Sequence, residues 1–211
     1  MKRKRFWKLE YSLTFFVVFI VVLILIPTSI QSTLQADLIT KWNDCYGNLT
    51  YIKDAMDKHE KENMLVKLKQ AKTKSDREKI ITLIIKPYLR LSENKYLKHY
   101  RTKYLNGTRI KQGDDYYFSD LYRGDKKMVV GIKDIKDESD NTAMFMMMFD
   151  VNGIIPPNTW GRDIFGVKVF NDKISPIGDG LPVDVLKTDC SKAGTGVSCS
   201  YYYHIGGSFI E

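Results

Sequence analysis

Phe15 to Ile26 is an unbroken apolar run, and no charge occurs between Tyr11 and Ala36. A span of that length exceeds the ~20 residues a helix needs to cross a bilayer. Beyond Pro27 the pattern changes rather than stops. Ile30, Leu34, Leu38, Trp42, Cys45, Leu49, Ile52 and Met56 recur at spacings of 4, 4, 4, 3, 4, 3 and 4, which on a helix makes one apolar stripe. Gln35, Lys41 and Asp44 fall on the other side. Gly47 costs such a helix about 1 kcal/mol relative to alanine, which a stripe this long absorbs. The spacing predicts one helix from residue 6 to about 57, apolar all round in its first half and amphipathic in its second. It would be ~75 Å long at the usual rise per residue. Few charges flank the stripe in a pairing pattern, which favours packing on the chain's own domain over a dimeric coiled coil.

A charged break, DKHEKEN (57–63), follows, and then a short amphipathic piece around Met64–Ala71. Ser75 and Glu78 form an S-x-x-E capping box ahead of DREKIITLIIK, and that helix is expected to end before Pro87. From Tyr88 to Tyr122 the chain is rich in Tyr and Lys without a strong period and reads as loop with short elements. Strand signals then dominate: KMVVGIK (127–133), TAMFMMMFDV (142–151), IFGVKVF (164–170) and SYYYHI (200–205). Asn152-Gly153 and Asn171-Asp172 supply turns. The run Met144–Met148 is apolar on both faces, so it is expected to be a central, covered strand, its methionines packing the core rather than serving a cofactor. The order predicts an α+β fold, a long N-terminal helix packed against a small antiparallel sheet.

Length and charge place this fold in a compartment. The 211 residues hold one ordinary domain plus an anchor. The formal net charge is +8, and Lys2, Arg3, Lys4, Arg5 and Lys8 against Glu10 contribute +4 of it within the first ten residues. The remaining +4 is spread over residues 37–211, a solvated surface rather than a nucleic-acid footprint. Cations before the apolar span and none close behind it put the N-terminus in the cytoplasm and the bulk outside. A cleaved signal peptide would want small residues before the cut, and TLQAD has Leu34 where one belongs. The expected organisation is a basic leader at 1–10, a transmembrane anchor at 11–36 and an extracytoplasmic domain at 37–211. That domain comprises helix 37–57, a helical insert at 58–122, and a sheet with a disulfide loop at 123–211.

Cys190 and Cys199 enclose the Gly-rich loop CSKAGTGVSC, which closes easily in an oxidising compartment. No further Cys or His stands at zinc spacing. Cys45, left over on the apolar helical face, reads as a buried thiol. His59, His99 and His204 are isolated, and no HExxH, Walker, GxSxG or dinucleotide pattern occurs, so no enzyme activity is expected.

The opening segment resembles the type IV pilin and type II secretion pseudopilin family of bacteria. Phe6-Trp7-Lys8-Leu9-Glu10 stands where that family has Phe-Thr-Leu-Ile-Glu behind a short basic leader, and Pro27 follows Phe6 by twenty-one residues, the place of the family's helix-bending proline. DVNGIIPPNTWGRDIFGVKVF (150–170) and PIGDG (176–180) are similar to the pseudopilin sheet. The Cys190–Cys199 loop resembles a pilin's disulfide-bounded C-terminal region, and IKPYLRLSE (85–93) is similar to a segment of some larger members. Arg5 replaces the glycine after which the family's peptidase cuts, and Trp7 and Lys8 replace Thr-Leu, so the motif is a degenerate form.

The resemblance implies a pilin-like subunit, anchored in the bacterial inner membrane, that assembles with other pilin or pseudopilin subunits into a filament or pseudopilus. Phe6, Glu10 and Pro27 would be its assembly residues. A carboxylate near a bilayer is costly unless paired. In a pilin-like stack Glu10 would meet a neighbour's α-amino group, while in a lone anchor it would snorkel toward Arg5 or Lys8. Asp150, Asn152 and Asp179 offer hard oxygens for Ca²⁺, as in some pseudopilins, although D-x-N-G also reads as a plain turn. The competing reading is a single-pass membrane protein with an extracytoplasmic sensing or binding domain that never polymerises.

Overall fold

The computed structural model describes residues 3–59, 67–68, 70–71, 73–135 and 143–209, with the side chains of 3–10, 24–32, 57, 59 and 74 outside that description. It divides into two compact units, Met1–Asp37 and Leu38–Glu211. Helix α1 (Arg3–His59) contributes to both, matching the single long helix the spacing predicts.

In the first unit every residue of α1 from Tyr11 to Leu23 is exposed, Phe15 by 79%. A helix apolar on all sides persists only where something covers it. Among the described residues no helix is long and apolar enough to cross a membrane. The predicted anchor at 11–36 includes 24–32, whose side chains lie outside the described residues. The predicted assembly residues are in the same position: Phe6, Glu10 and Pro27 belong to the helical backbone of α1, but their side chains lie outside the described residues.

In the second unit, five antiparallel strands pair in chain order: β1 (Asp120–Arg123), β2 (Val129–Asp134), β3 (Phe145–Asp150), β4 (Ile164–Val169) and β5 (Ile174–Pro176). Three of the four predicted strands are thus present, and β1 and β5 are added at the edges. The methionine strand β3 is central, and all six of its residues are buried. Alternation divides them between two cores. Phe145, Met147 and Phe149 pack with Leu38, Trp42 and Leu49 of α1. Met146 and Met148 pack on the other face with Leu97, Ile110 and Phe118, from the excursion between residues 91 and 119. That excursion covers the second face, which is why β3 carries no polar alternation.

Four expectations need correction. SYYYHI is not a strand but most of helix α4 (Cys199–His204), which follows α3 (Val183–Asp189). Its first turn is pinned by Ser200, whose Oγ accepts from Gly166 N at 2.9 Å and donates to Val197 O at 3.0 Å. Helix α2 (Lys74–Leu89) starts two residues earlier than the capping box implies. Thr73 Oγ1 accepts from Asp76 N at 3.1 Å, whereas the Glu78 carboxylate accepts from Asp134 N at 3.3 Å at the end of β2. Pro87 lies inside α2 rather than beyond it; its missing N–H removes one bond, to the carbonyl four residues back, two residues before the helix ends. The helix stops at Arg90, in the left-handed region at φ 50°. The insert at 58–122 is helical only in part: besides the end of α1 and residues 67, 68 and 70, its described helix is α2 and a 3-10 turn at Lys95–His99, and β1 begins within it. Half of the predicted piece at 64–71 lies outside the described residues; of the other half, 67, 68 and 70 are helical and Leu68 is buried.

Candidate functional site

The stripe of α1 holds the second unit together. Leu38, Trp42, Cys45, Leu49 and Met56 are buried, at the positions the periodicity selects. Trp42 is fully buried, stacks on Phe165 with ring centroids 5.0 Å apart, and donates from Nε1 to Ser200 O at 2.8 Å. Polar tips further along the helix reach the β4–β5 turn: Tyr46 Oη donates to Ile174 O at 3.0 Å and Lys53 Nζ to Asn171 O at 2.9 Å. Burial pushes the Cys45 thiol up to about 12, against a weaker opposing pull from Lys126. It is therefore an unreactive core group at neutral pH. Beside it a cavity of ≈ 470 Å³ opens between α1 and the loop after β3, lined among others by Cys45, Leu49, Met128 and Ile155.

Cys190 and Cys199 are bonded, with Cα atoms 5.4 Å apart, as the spacing predicts. The loop they close is organised by Asp189, which the sequence reading passed over. Its carboxylate accepts from Thr195 N at 2.7 Å, Thr195 Oγ1 at 2.6 Å, Ser198 N at 2.9 Å and Ser198 Oγ at 2.6 Å. Burial pushes this carboxyl up, but the hydrogen bonds from Ser198 and Thr195 together outweigh it and hold it below the usual value. An Asp followed by Thr and Ser in a tight loop was the available signal. Gly161 passes close by at φ +77°; a Cβ there would stand 2.9 Å from Cys199 Sγ and from Gly196 Cα, so only glycine fits.

Of the three predicted calcium ligands, two share one turn and the third follows β5. Asp150 and Asn152 share the turn after β3, where Asn152 N donates to Asp150 Oδ1 at 3.2 Å and the Tyr100 hydroxyl donates to Asp150 Oδ2. Asp179 is engaged elsewhere, accepting from the Ser175 hydroxyl and pairing with Lys173 at 3.6 Å. Among the described residues no group of three or more His, Cys, Asp or Glu is placed to hold a metal ion. The carboxyl that does join Asp150 is Asp163, which accepts from Asn158 N at 2.8 Å and Thr159 N at 2.6 Å. Burial first, and then the charge of Asp163, push the Asp150 carboxyl well above its usual value; burial also raises Asp163.

This pair is expected to make stability depend on pH. A carboxyl whose folded pKa lies above its unfolded value of ~3.9 binds more protons in the folded state. Its stabilisation is complete below that value and is lost as pH rises through the folded pKa. Asp150→Asn retains an acceptor for Tyr100 but does not ionise. Its melting temperature, relative to the parent chain, is expected to rise between about pH 4 and pH 8. A difference that stays constant across this range, by thermal denaturation at several pH values, would show that Asp150 does not titrate abnormally.

Comparison of the chain with protein-family models, with curated proteins and with solved structures finds no match.

Proposed function

We propose that this protein is a membrane-anchored, pilin-like structural subunit that assembles through its N-terminal helix. The observation that supports this reading is α1 itself. One 57-residue helix carries exposed apolar side chains all round from Tyr11 to Leu23 and then a single buried stripe from Leu38 to Met56. The stripe is satisfied by the chain's own sheet. The column before it is not, and its cover is lipid together with the same helix of neighbouring subunits. In such a stack Glu10 sets the register by pairing with a charge on the next chain, since an unpaired carboxylate at that depth is disfavoured. The function then resides in helix surfaces rather than in a catalytic centre.

Cysteine crosslinking in native membranes tests this directly. Single cysteines at positions 15 to 23 are expected to form intersubunit adducts along one helical face, recurring every three to four residues. Glu10→Leu is expected to abolish that pattern while the amount of membrane-bound protein stays constant. Adducts with no preferred face, or a pattern unaltered in Glu10→Leu, would discard the register role. Complete absence of adducts would point to the anchored, non-polymerising binding protein.

A further inference from the structure

The excursion between residues 91 and 119 contains a feature that assembly does not use. RTKYLNGTRIK (101–111) forms a short antiparallel ribbon. Lys103 bridges Arg109, Ile110 N donates to Thr102 O at 3.1 Å, and Tyr104 N donates to Thr108 O at 2.8 Å. Asn106-Gly107 makes its tip, with Gly107 at φ +86°. Arg101 and Lys111 follow two residues further along each arm of the ribbon. Like charges directly opposed destabilise a strand pair, yet among the described residues none of the four makes an ion pair with a carboxylate.

These cations and Lys98 line a cavity of ≈ 760 Å³ to which no acidic residue contributes. Ile110, Phe118, Leu121 and Met148 form its apolar floor, and Thr102, Gln112 and Ser119 add hydroxyl and amide groups. The ribbon is held in place from behind, with Lys103 N donating to Asn158 O at 3.2 Å and Trp160 N to Lys103 O at 3.0 Å. The site is therefore built before any ligand arrives, which lowers the ordering cost of binding.

We infer that this cavity binds an acidic oligosaccharide. Several cations without a counter-charge call for a ligand bearing more than one anionic group, and arginine forks suit carboxylate or sulfate oxygens. The volume lies in the range of small-ligand sites and far exceeds a single inorganic anion. Hydroxyl and amide groups beside an apolar floor suit a sugar ring, which presents hydroxyls at its edge and C–H groups on its face. A nucleic-acid strand would need a row of exposed aromatic faces for its bases. Here Tyr100 and Phe118 are buried, and only Tyr117 is partly open. The inference stands whether or not the chain polymerises.

Titration calorimetry of the full chain in neutral detergent, with a tetragalacturonate probe, tests the assignment. Binding is expected, weakening steeply between about 50 and 200 mM salt, with none for neutral maltotetraose. Arg109→Gln/Lys111→Gln, two exposed side chains, is expected to weaken it about tenfold or more, the loss of two charge-assisted contacts. Lys79→Gln/Lys187→Gln removes the same charge elsewhere and should leave affinity within about twofold. Lys111→Gln alone should give a smaller loss in the same direction, so a misfolded double variant does not end the test. No binding by the parent chain, or equal affinity in the ribbon and control variants, overturns the proposal. So does a dodecathymidylate that binds more tightly than the uronate, which would make the ribbon a nucleic-acid site.

Discussion

Trp42→Ala is expected to destabilise the second unit by about 3–5 kcal/mol, the range for removing a buried large aromatic side chain. Three losses coincide at this position. The indole is fully buried, its stacking on Phe165 disappears, and Ser200 O loses its donor at 2.8 Å. The last of these couples α1 to α4, so loosening is expected in both helices where they pack around Phe165. Tyr51, 75% exposed on the same helix, is the control, and Tyr51→Ala should change stability by no more than about 0.5 kcal/mol. Denaturant unfolding of the full chain in neutral detergent, followed by near-UV circular dichroism, measures both. Equal effects would mean that α1 does not pack on the sheet through this face.

Cys199→Ser is expected to cost about 3 kcal/mol, because a bridge closing a loop of roughly ten residues restricts the unfolded chain by that amount. Both sulfurs are fully buried, so little of the loss can be recovered by solvation. Cys190→Ser should match it, and the reduced parent chain should melt with them. Cys45→Ala, which removes one buried sulfur and breaks no covalent link, should cost clearly less. The Asp189 hydrogen bonds remain in all of these variants, so the loop is expected to loosen rather than to unravel. If reduction left the melting temperature unchanged, Asp189 rather than the disulfide would be holding the loop.

What was legible in the chain was legible because it repeats. The stripe announces α1 by its period, and burial follows it at Leu38, Trp42, Cys45, Leu49 and Met56, while Ile52 is half-buried and Leu34 exposed. The methionine run announces a strand covered on both faces, and β3 is that strand. The ribbon at 101–111 was readable too, but its Asn-Gly turn is flanked by alternating charges rather than alternating apolar residues, and a search for hydrophobic periods passes over it.

By itself, then, the sequence determined the elements whose signal is local and periodic: the long helix, three of the strands and a cysteine pair close enough to bond. Tertiary structure alone decided where polar side chains went and how weak local preferences resolved. Tyr201, Tyr202 and Tyr203 favour a strand by propensity, yet the segment is helical because Cys199 is tied to Cys190 and Ser200 to Gly166. Glu78 matches a helix cap but is drawn to Asp134 N because α2 lies against β2. Asp150 and Asp163, thirteen residues apart, meet only because β3 and β4 pair Asp150 with Ile164. A periodic pattern is written along the chain, whereas a hydrogen-bond partner depends on which distant groups packing brings within 3 Å or so.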